Sequence, residues 1–258
     1  EKRPIKITIF LLIFMKYFCL INIYKFSNFT KNIFSYLVSR ITKKVHVYGK
    51  PSFASFELSS RCNLNCPQCD VGNKLTNRKN NFLNYEEYCK IIDEIGPTML
   101  DAIFYFQGEP LLNKNFADYI SYVKQHNIYA ITSTNGQLID KNIALNIIKS
   151  GLDRIIISID GTTQEVYEKY RKGGLLSKSI EAIKFLKEAK KELNSKTPCI
   201  EAQFIVFRFN EHQIDEFKQL APIWGADKIS IKSAQIHSPN KNYEIIPTIN
   251  KYSRYHKI

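Results

Sequence analysis

The chain predicts an α/β fold with a parallel sheet, on three observations. From residue 51 onward, six apolar strand-like segments alternate with segments of helical period, the pattern that β–α–β crossovers produce. Unusual motifs rich in Gly, Asn, Asp or Cys follow four of those strands directly. They therefore gather on one rim, the C-terminal ends of the strands, where folds of this class carry their chemistry. No repeat of fixed period is visible. An α/β barrel and an open sheet both fit this pattern.

Residues 1–50 form a basic, apolar N-terminal extension. The run from Ile7 to Met15 ends at Lys16 and is too short to span a bilayer. It could pass for the core of a signal peptide, but no small-residue cleavage site follows. Met15 could itself be a true start. Further on, Phe26, Phe29, Ile33, Tyr36, Leu37 and Ile41 recur at helical spacing, with Lys31, Asn32, Ser35, Ser39 and Lys43 on the other side. This is a basic amphipathic helix. It either packs on the domain that follows or lies on an anionic membrane surface.

A core domain is expected over residues 51–236. Ser52 to Leu58 is strand-like and leads into a cysteine loop. Asn84 caps a helix running to Ile95, with Glu87 three residues on, and Gly96-Pro97 stops it. Ala102 to Phe106 is the second strand, followed by Gly108-Glu109-Pro110, then a helix over Phe116 to His126. Ile128 to Thr132 is the third strand, followed by Thr134-Asn135-Gly136 and a helix from Asp140 to Ser150. Arg154 to Ile159 is the fourth and most apolar, ending in Asp160-Gly161. Helices follow over Thr163 to Tyr170 and Leu175 to Leu193. Ile200 to Phe207 is a strand, Glu211 to Ala221 a helix and Lys228 to Lys232 the sixth strand. Residues 237–258 form an irregular tail with a short helix from Thr248.

At 258 residues the chain is one large domain with appendages, and it can bury a core without disulfides. Its net charge is +13, but residues 1–50 hold ten Lys and Arg against Glu1 alone, which leaves +4 for the rest. Nothing in the body of the protein calls for a nucleic-acid partner. Of six cysteines, Cys62, Cys66 and Cys69 cluster, while Cys19, Cys89 and Cys199 stand singly. A small secreted disulfide framework would space them more evenly, so a reducing, cytoplasmic compartment is expected.

The cluster reads C-x3-C-x2-C. Three thiolates this close can hold three corners of an iron–sulfur cube and leave one iron open to a ligand; a closed site would have four protein ligands. Zinc is the competing occupant, but no second C-x2-C or H-x3-H pair offers a fourth ligand, and Asp70 is badly placed.

With these loops in order, the chain resembles the radical S-adenosylmethionine (SAM) enzymes over roughly residues 53–236. Four strings sharpen the likeness: Tyr105-Phe106-Gln107-Gly108-Glu109-Pro110, Ser158-Ile159-Asp160-Gly161-Thr162-Thr163-Gln164-Glu165, Tyr170-Arg171 and Asn210-Glu211-His212-Gln213. They look like the branch that carries a C-terminal SPASM extension. The resemblance implies a partial (β/α)6 TIM-like barrel. It implies Cys62, Cys66 and Cys69 as ligands of a catalytic [4Fe-4S] cluster, with SAM on the fourth iron. Glu109 would accept a hydrogen bond from the SAM amino group, with Gly108 and Pro110 shaping that loop. Ser133, Thr134 and Asn135 would meet the methionine or ribose portion. Ser158 and Asp160 would take the ribose hydroxyls, and Arg171 the SAM carboxylate. The implied chemistry is reductive cleavage of SAM to a 5′-deoxyadenosyl radical that takes a substrate hydrogen. Implied partners are a peptide, protein or biosynthetic intermediate as substrate and an electron donor such as flavodoxin or ferredoxin. A membrane surface met through residues 1–50 would add a peripheral place on its inner face.

Two departures stand out. Gln68 occupies the position before the third cysteine, often aromatic in the family. After Cys69 only Cys89 and Cys199 remain, so the further cysteines of a SPASM extension are missing: the chain is a core fragment or a short version with one cluster. Cys89 and Cys199 read as core residues, and His126, His212 and His237 as surface or capping groups. Glu57, an acid within the first strand, is either an inward-facing group near the cluster or a satisfied buried charge. RNA modification by the same chemistry, or a non-catalytic metal- or membrane-binding module, are the alternatives. The near-neutral core speaks against the first, and Glu109, Asp160 and Arg171 beside intact cysteines against the second.

Overall fold

The structure, a computed structural model, describes residues 22–79, 81–236 and 243–255. The Ile7–Met15 run, Cys19 and His237 lie outside those residues. Six strands are present: β1 (Phe53–Ser55), β2 (Asp101–Ile103), β3 (Tyr129–Thr134), β4 (Arg154–Ser158), β5 (Cys199–Val206) and β6 (Lys228–Ser233). They form one sheet in sequence order, and every neighbouring pair is parallel. Parallel neighbours need crossovers, which are almost always right-handed, so the connecting helices fall on one face and the sheet curls round its other face. β1 and β6 end the sheet without pairing to each other. The result is the partial (β/α)6 barrel expected.

The helices are α1 (Ile23–Thr42), α2 (Tyr85–Ile95), α3 (Phe116–Gln125), α4 (Lys141–Lys149), α5 (Gln164–Tyr170), α6 (Leu176–Glu192) and α7 (Ile214–Trp224). Asn84 caps α2 by accepting from Glu87 N at 2.9 Å, and Asp140 caps α4 by accepting from Ile143 N at 2.7 Å. Strand alternation then divides the side chains. Ile155, Ile157, Ala202 and Phe204 join the core with Ile92, Ile120, Ile147, Ile183 and Phe217 of the helices. The intervening residues face the barrel interior. Low in that interior, fully buried Glu201 accepts from Arg154 Nε at 2.9 Å and pairs with Lys228 at 3.3 Å.

Strand lengths depart from expectation at the first two positions. β1 and β2 span three residues each, because the ladder that joins them covers only three pairs, Phe53 with Asp101 to Ser55 with Ile103. Phe56 N to Ile103 O and Phe104 N to Ile131 O carry single bonds on toward the loops. The expected helix from Glu211 opens as a turn, Glu211–Gln213, and the last short helix is a turn over Asn250–Tyr252.

α1 forms where the period predicts it, and it packs with part of its polar side inward, while Lys31 and Lys43 stay exposed. Lys25, Asn28 and Ser35 are its buried residues. Lys25 Nζ donates to Asn127 O at 2.7 Å, Asn28 Nδ2 to Lys50 O at 3.0 Å, and Ser35 Oγ accepts from Tyr48 N at 2.8 Å. Burial, with Lys124 nearby, lowers Lys25 to about 8. Phe26, Phe29, Ile33, Phe34, Tyr36, Leu37 and Ile41 are exposed. A surface helix ordinarily buries its apolar stripe; this one does the reverse.

Candidate active site

Four loops converge at the C-terminal ends of β1 to β4. The cysteine loop is tied down at three points. Glu109 N donates to Arg61 O at 2.7 Å, Asn135 Nδ2 to Asn63 Oδ1 at 2.8 Å, and Asn65 N to Lys172 O at 3.0 Å. Residues distant in sequence thus clamp the segment carrying Cys62, Cys66 and Cys69. Gly72 lies under it: a Cβ there would come within 2.7 Å of Cys66 N.

The three cysteines are free thiols and line one cavity of about 260 Å³. Gly108, Glu109, Ser133, Thr134, Asn135, Ser158 and Arg171 line it too. Pro110 and Asp160 do not line it. Leu64 N donates to Cys62 Sγ at 3.4 Å, Asn135 Nδ2 lies 3.9 Å from the same sulfur, and Arg171 Nη1 lies 3.8 Å from Cys66 Sγ. Burial pushes the Cys62 thiol up to about 11 and raises that of Cys66. Thiolates here therefore need compensating positive charge, which a bound metal centre supplies. Among the described residues no three His, Cys, Asp or Glu side chains close on a single metal ion. Three thiols set around a cavity, with no fourth ligand, suit a cube in which each binds its own iron. The donor set fits an iron–sulfur cluster.

Glu109 is 3% exposed. Its carboxylate accepts from Thr134 Oγ1 at 2.6 Å, Asn135 N at 2.9 Å and Leu111 N at 3.2 Å. Burial raises its pKa, and those donors oppose the rise. Gly108 permits the loop's course: a Cβ on it would stand 1.8 Å from Ser59 O, which no side chain can accommodate.

Asp160 departs from the ribose role expected of it. It is fully buried. Its oxygens accept from Arg171 Nε at 2.6 Å and Ile205 N at 2.6 Å. Burial raises the Asp160 pKa against the pull of Arg171, and the arginine is held charged well above its usual range. Asp160 thus aims Arg171, whose Nη1 reaches the cavity beside Cys66. The register explains this: Asp160 lies just beyond β4, where Ile205 of β5 meets it.

Sequence reasoning left Glu57 unassigned. Its Oε1 accepts from Gln107 N at 3.1 Å and Gly108 N at 3.2 Å, and its carboxylate pairs with Arg78. It therefore shapes the Gly108-Glu109-Pro110 loop from below. The one signal was its charge in an otherwise uncharged segment, Ser52 to Leu58. Tyr105, Phe106, Gln107, Tyr170 and Ile205 also line the cavity, and Phe106 is 66% exposed at its edge. His126 lies 3.5 Å from Asp93, away from the cavity.

The family model described as the Radical SAM superfamily matches residues 56–221. The chain is 28% identical over 184 residues to a PqqA peptide cyclase of Granulibacter bethesdensis, covering 70% of this chain and 46% of that protein. It is 28% identical over 177 residues to the mycofactocin maturase MftC of Mycolicibacterium smegmatis, covering 68% and 43%. The chain thus spans about half the length of the curated relatives it matches. Among solved structures, Streptococcus suis SuiB bound to S-adenosylmethionine superposes with a TM-score of 0.62 at 15% identity, covering 83% of this chain and 46% of that one. The structure titled "Native anSMEcpe with bound AdoMet" superposes with a TM-score of 0.60 at 20% identity, covering 78% and 55%. At such identities these likenesses show the fold.

Proposed function

Because the chain belongs to the radical SAM superfamily, whose cofactors are a [4Fe-4S] cluster and SAM, we propose that it is an enzyme that cleaves SAM reductively and takes a hydrogen from a peptide or protein substrate. The observation that carries the reading is one cavity shared by Cys62, Cys66, Cys69, Glu109 and Arg171. Held by Cys62, Cys66 and Cys69, a reduced cluster would supply the one electron needed to break a carbon–sulfur bond of SAM, with methionine as the leaving group.

The chain's own groups have separable tasks. Cys62, Cys66 and Cys69 hold three irons. A carboxylate offers about four acceptor positions, and Glu109 has three protein donors. One position remains for the SAM ammonium, as a charge-assisted bond. Arg171, aimed by Asp160, meets the SAM carboxylate. Ser133, Thr134, Asn135 and Ser158 border the rest of the molecule, with Gly108 allowing close approach and Pro110 fixing the turn. The peptide substrate is supported by the relative whose name, PqqA peptide cyclase, states a peptide. An electron donor such as flavodoxin or ferredoxin completes the cycle. We place the chain in a reducing aqueous compartment, where three adjacent thiols stay free.

The test is direct. After anaerobic cluster reconstitution and reduction, the wild type releases 5′-deoxyadenosine from SAM, and Cys66→Ala does not. If the two are indistinguishable, the reading fails.

A further inference from the structure

The cavity rim is one end of the barrel; α1 occupies the other. Its partners Ser52, the Gly96–Thr98 turn and Asn127 directly precede β1, β2 and β3. α1 therefore sits under the N-terminal ends of the strands, opposite the loops that bear the cysteines.

Its outward face is apolar and basic. Ile23 is 77% exposed, Phe26 57%, Phe34 56% and Ile41 81%, and Val45 and Val47 extend the patch beyond the helix. Tucking a lysine and an asparagine against the protein while leaving phenylalanines in water is unfavourable unless another apolar phase covers that face. The charge says which phase. Lys31, Arg40, Lys43 and Lys44 are exposed around the same helix. No carboxylate occurs between Glu1 and Glu57. A protein partner would be matched by charges of both signs; a face carrying one sign matches an anionic lipid surface. Arg40 Nη1 reaches Tyr36 OH at 3.2 Å along the stripe, so its stem can lie over apolar surface with its head at the polar boundary. No helix among the described residues is long and apolar enough to cross a membrane. On such a bilayer α1 would lie along the surface rather than through it.

We propose that the outward face of α1 binds the surface of an anionic bilayer, and that this docking turns the catalytic cavity away from the membrane. The substrate is then met on the aqueous side, which favours a water-borne peptide over a molecule buried in lipid. The orientation follows from α1 and the cysteine loop standing at opposite ends of the same strands.

The full chain is sedimented with phosphatidylcholine vesicles, with and without phosphatidylglycerol. Anionic vesicles should bind it about 10-fold or more tightly than neutral ones, with the preference falling as salt rises. The triple variant Phe29→Gln, Ile33→Gln, Leu37→Gln should lose about 10-fold or more of the binding, with an unchanged circular-dichroism melt. Orientation is read separately with brominated lipid in a Trp224→Phe background, Trp224 being the single tryptophan. Ile33→Trp should be quenched and Phe106→Trp should not. The proposal is overturned if wild type binds no vesicle, or if the triple variant binds as well as wild type, which would assign binding to residues 1–21. Equal quenching at both positions overturns the orientation. A concentration-dependent dimer abolished by the triple variant, without vesicle binding, assigns the face to a second copy instead. None of these readouts needs the cluster, so failure here leaves the catalytic reading intact, and the reverse.

Discussion

The two ends of the barrel break the usual rule of burial in opposite senses. At the rim, charged and polar groups are buried: Glu109, Asp160, Asn135 and Thr134 are at most 5% exposed. At the base, large apolar groups are exposed along α1. The rim tolerates its inversion because each buried group has partners, Asp160 with Arg171 and Ile205, Glu109 with three donors. The base has no such compensation within the described residues. A satisfied inversion marks a preorganised site, and an unsatisfied one marks a surface awaiting a partner.

Mutations can break this contrast. The largest effect is expected for Asp160→Ala, which strands the largely buried Arg171 charge without its partner. Removing one partner of such a pair costs about 3–5 kcal/mol, measured by chemical denaturation, and an Arg171→Met, Asp160→Ala double variant should recover part of it. Gly108→Ala comes next. Its Cβ would overlap Ser59 O, a backbone atom that no rotamer change relieves. A loss of about 3 kcal/mol or more, with SAM binding reduced, is expected from calorimetry.

Glu57 gives a smaller, pH-dependent effect. Burial would raise its pKa, but Arg78 and the N–H groups of Gln107 and Gly108 outweigh that and lower it below 4.5. Its stabilisation is therefore present above pH 4.5 and lost as pH falls through the lower folded value. Because Arg78 is exposed, the contribution is below about 1 kcal/mol. The gap in melting temperature between wild type and Glu57→Gln should be open at neutral pH and close towards acid. The smallest effect is Ile33→Gln at the base, within about 0.5 kcal/mol in the absence of lipid. A large destabilisation there would mean that α1 is covered by this chain itself, and the contrast between the ends would dissolve.

Much of this was legible beforehand. The alternation of strands and helices, the caps Asn84 and Asp140, and the gathering of the cysteines with Gly108, Glu109, Asn135 and Ser158 on one rim all rest on local pattern. Side-chain period and turn chemistry act over a few residues, and parallel topology carries each strand's C-terminal loop to the same end. Those features the amino-acid order determines by itself. Three others were decided only by tertiary contact. Asp160 turns to Arg171 and Ile205 rather than to the cavity. Glu57 reaches Gln107 and Gly108 across the β1–β2 neighbourhood. α1 faces the barrel with its lysine and asparagine. Helical period separates two faces of a helix but does not say which one points inward. The hydrogen-bond partners of a buried carboxylate likewise come from wherever the sheet's register brings them, tens of residues away.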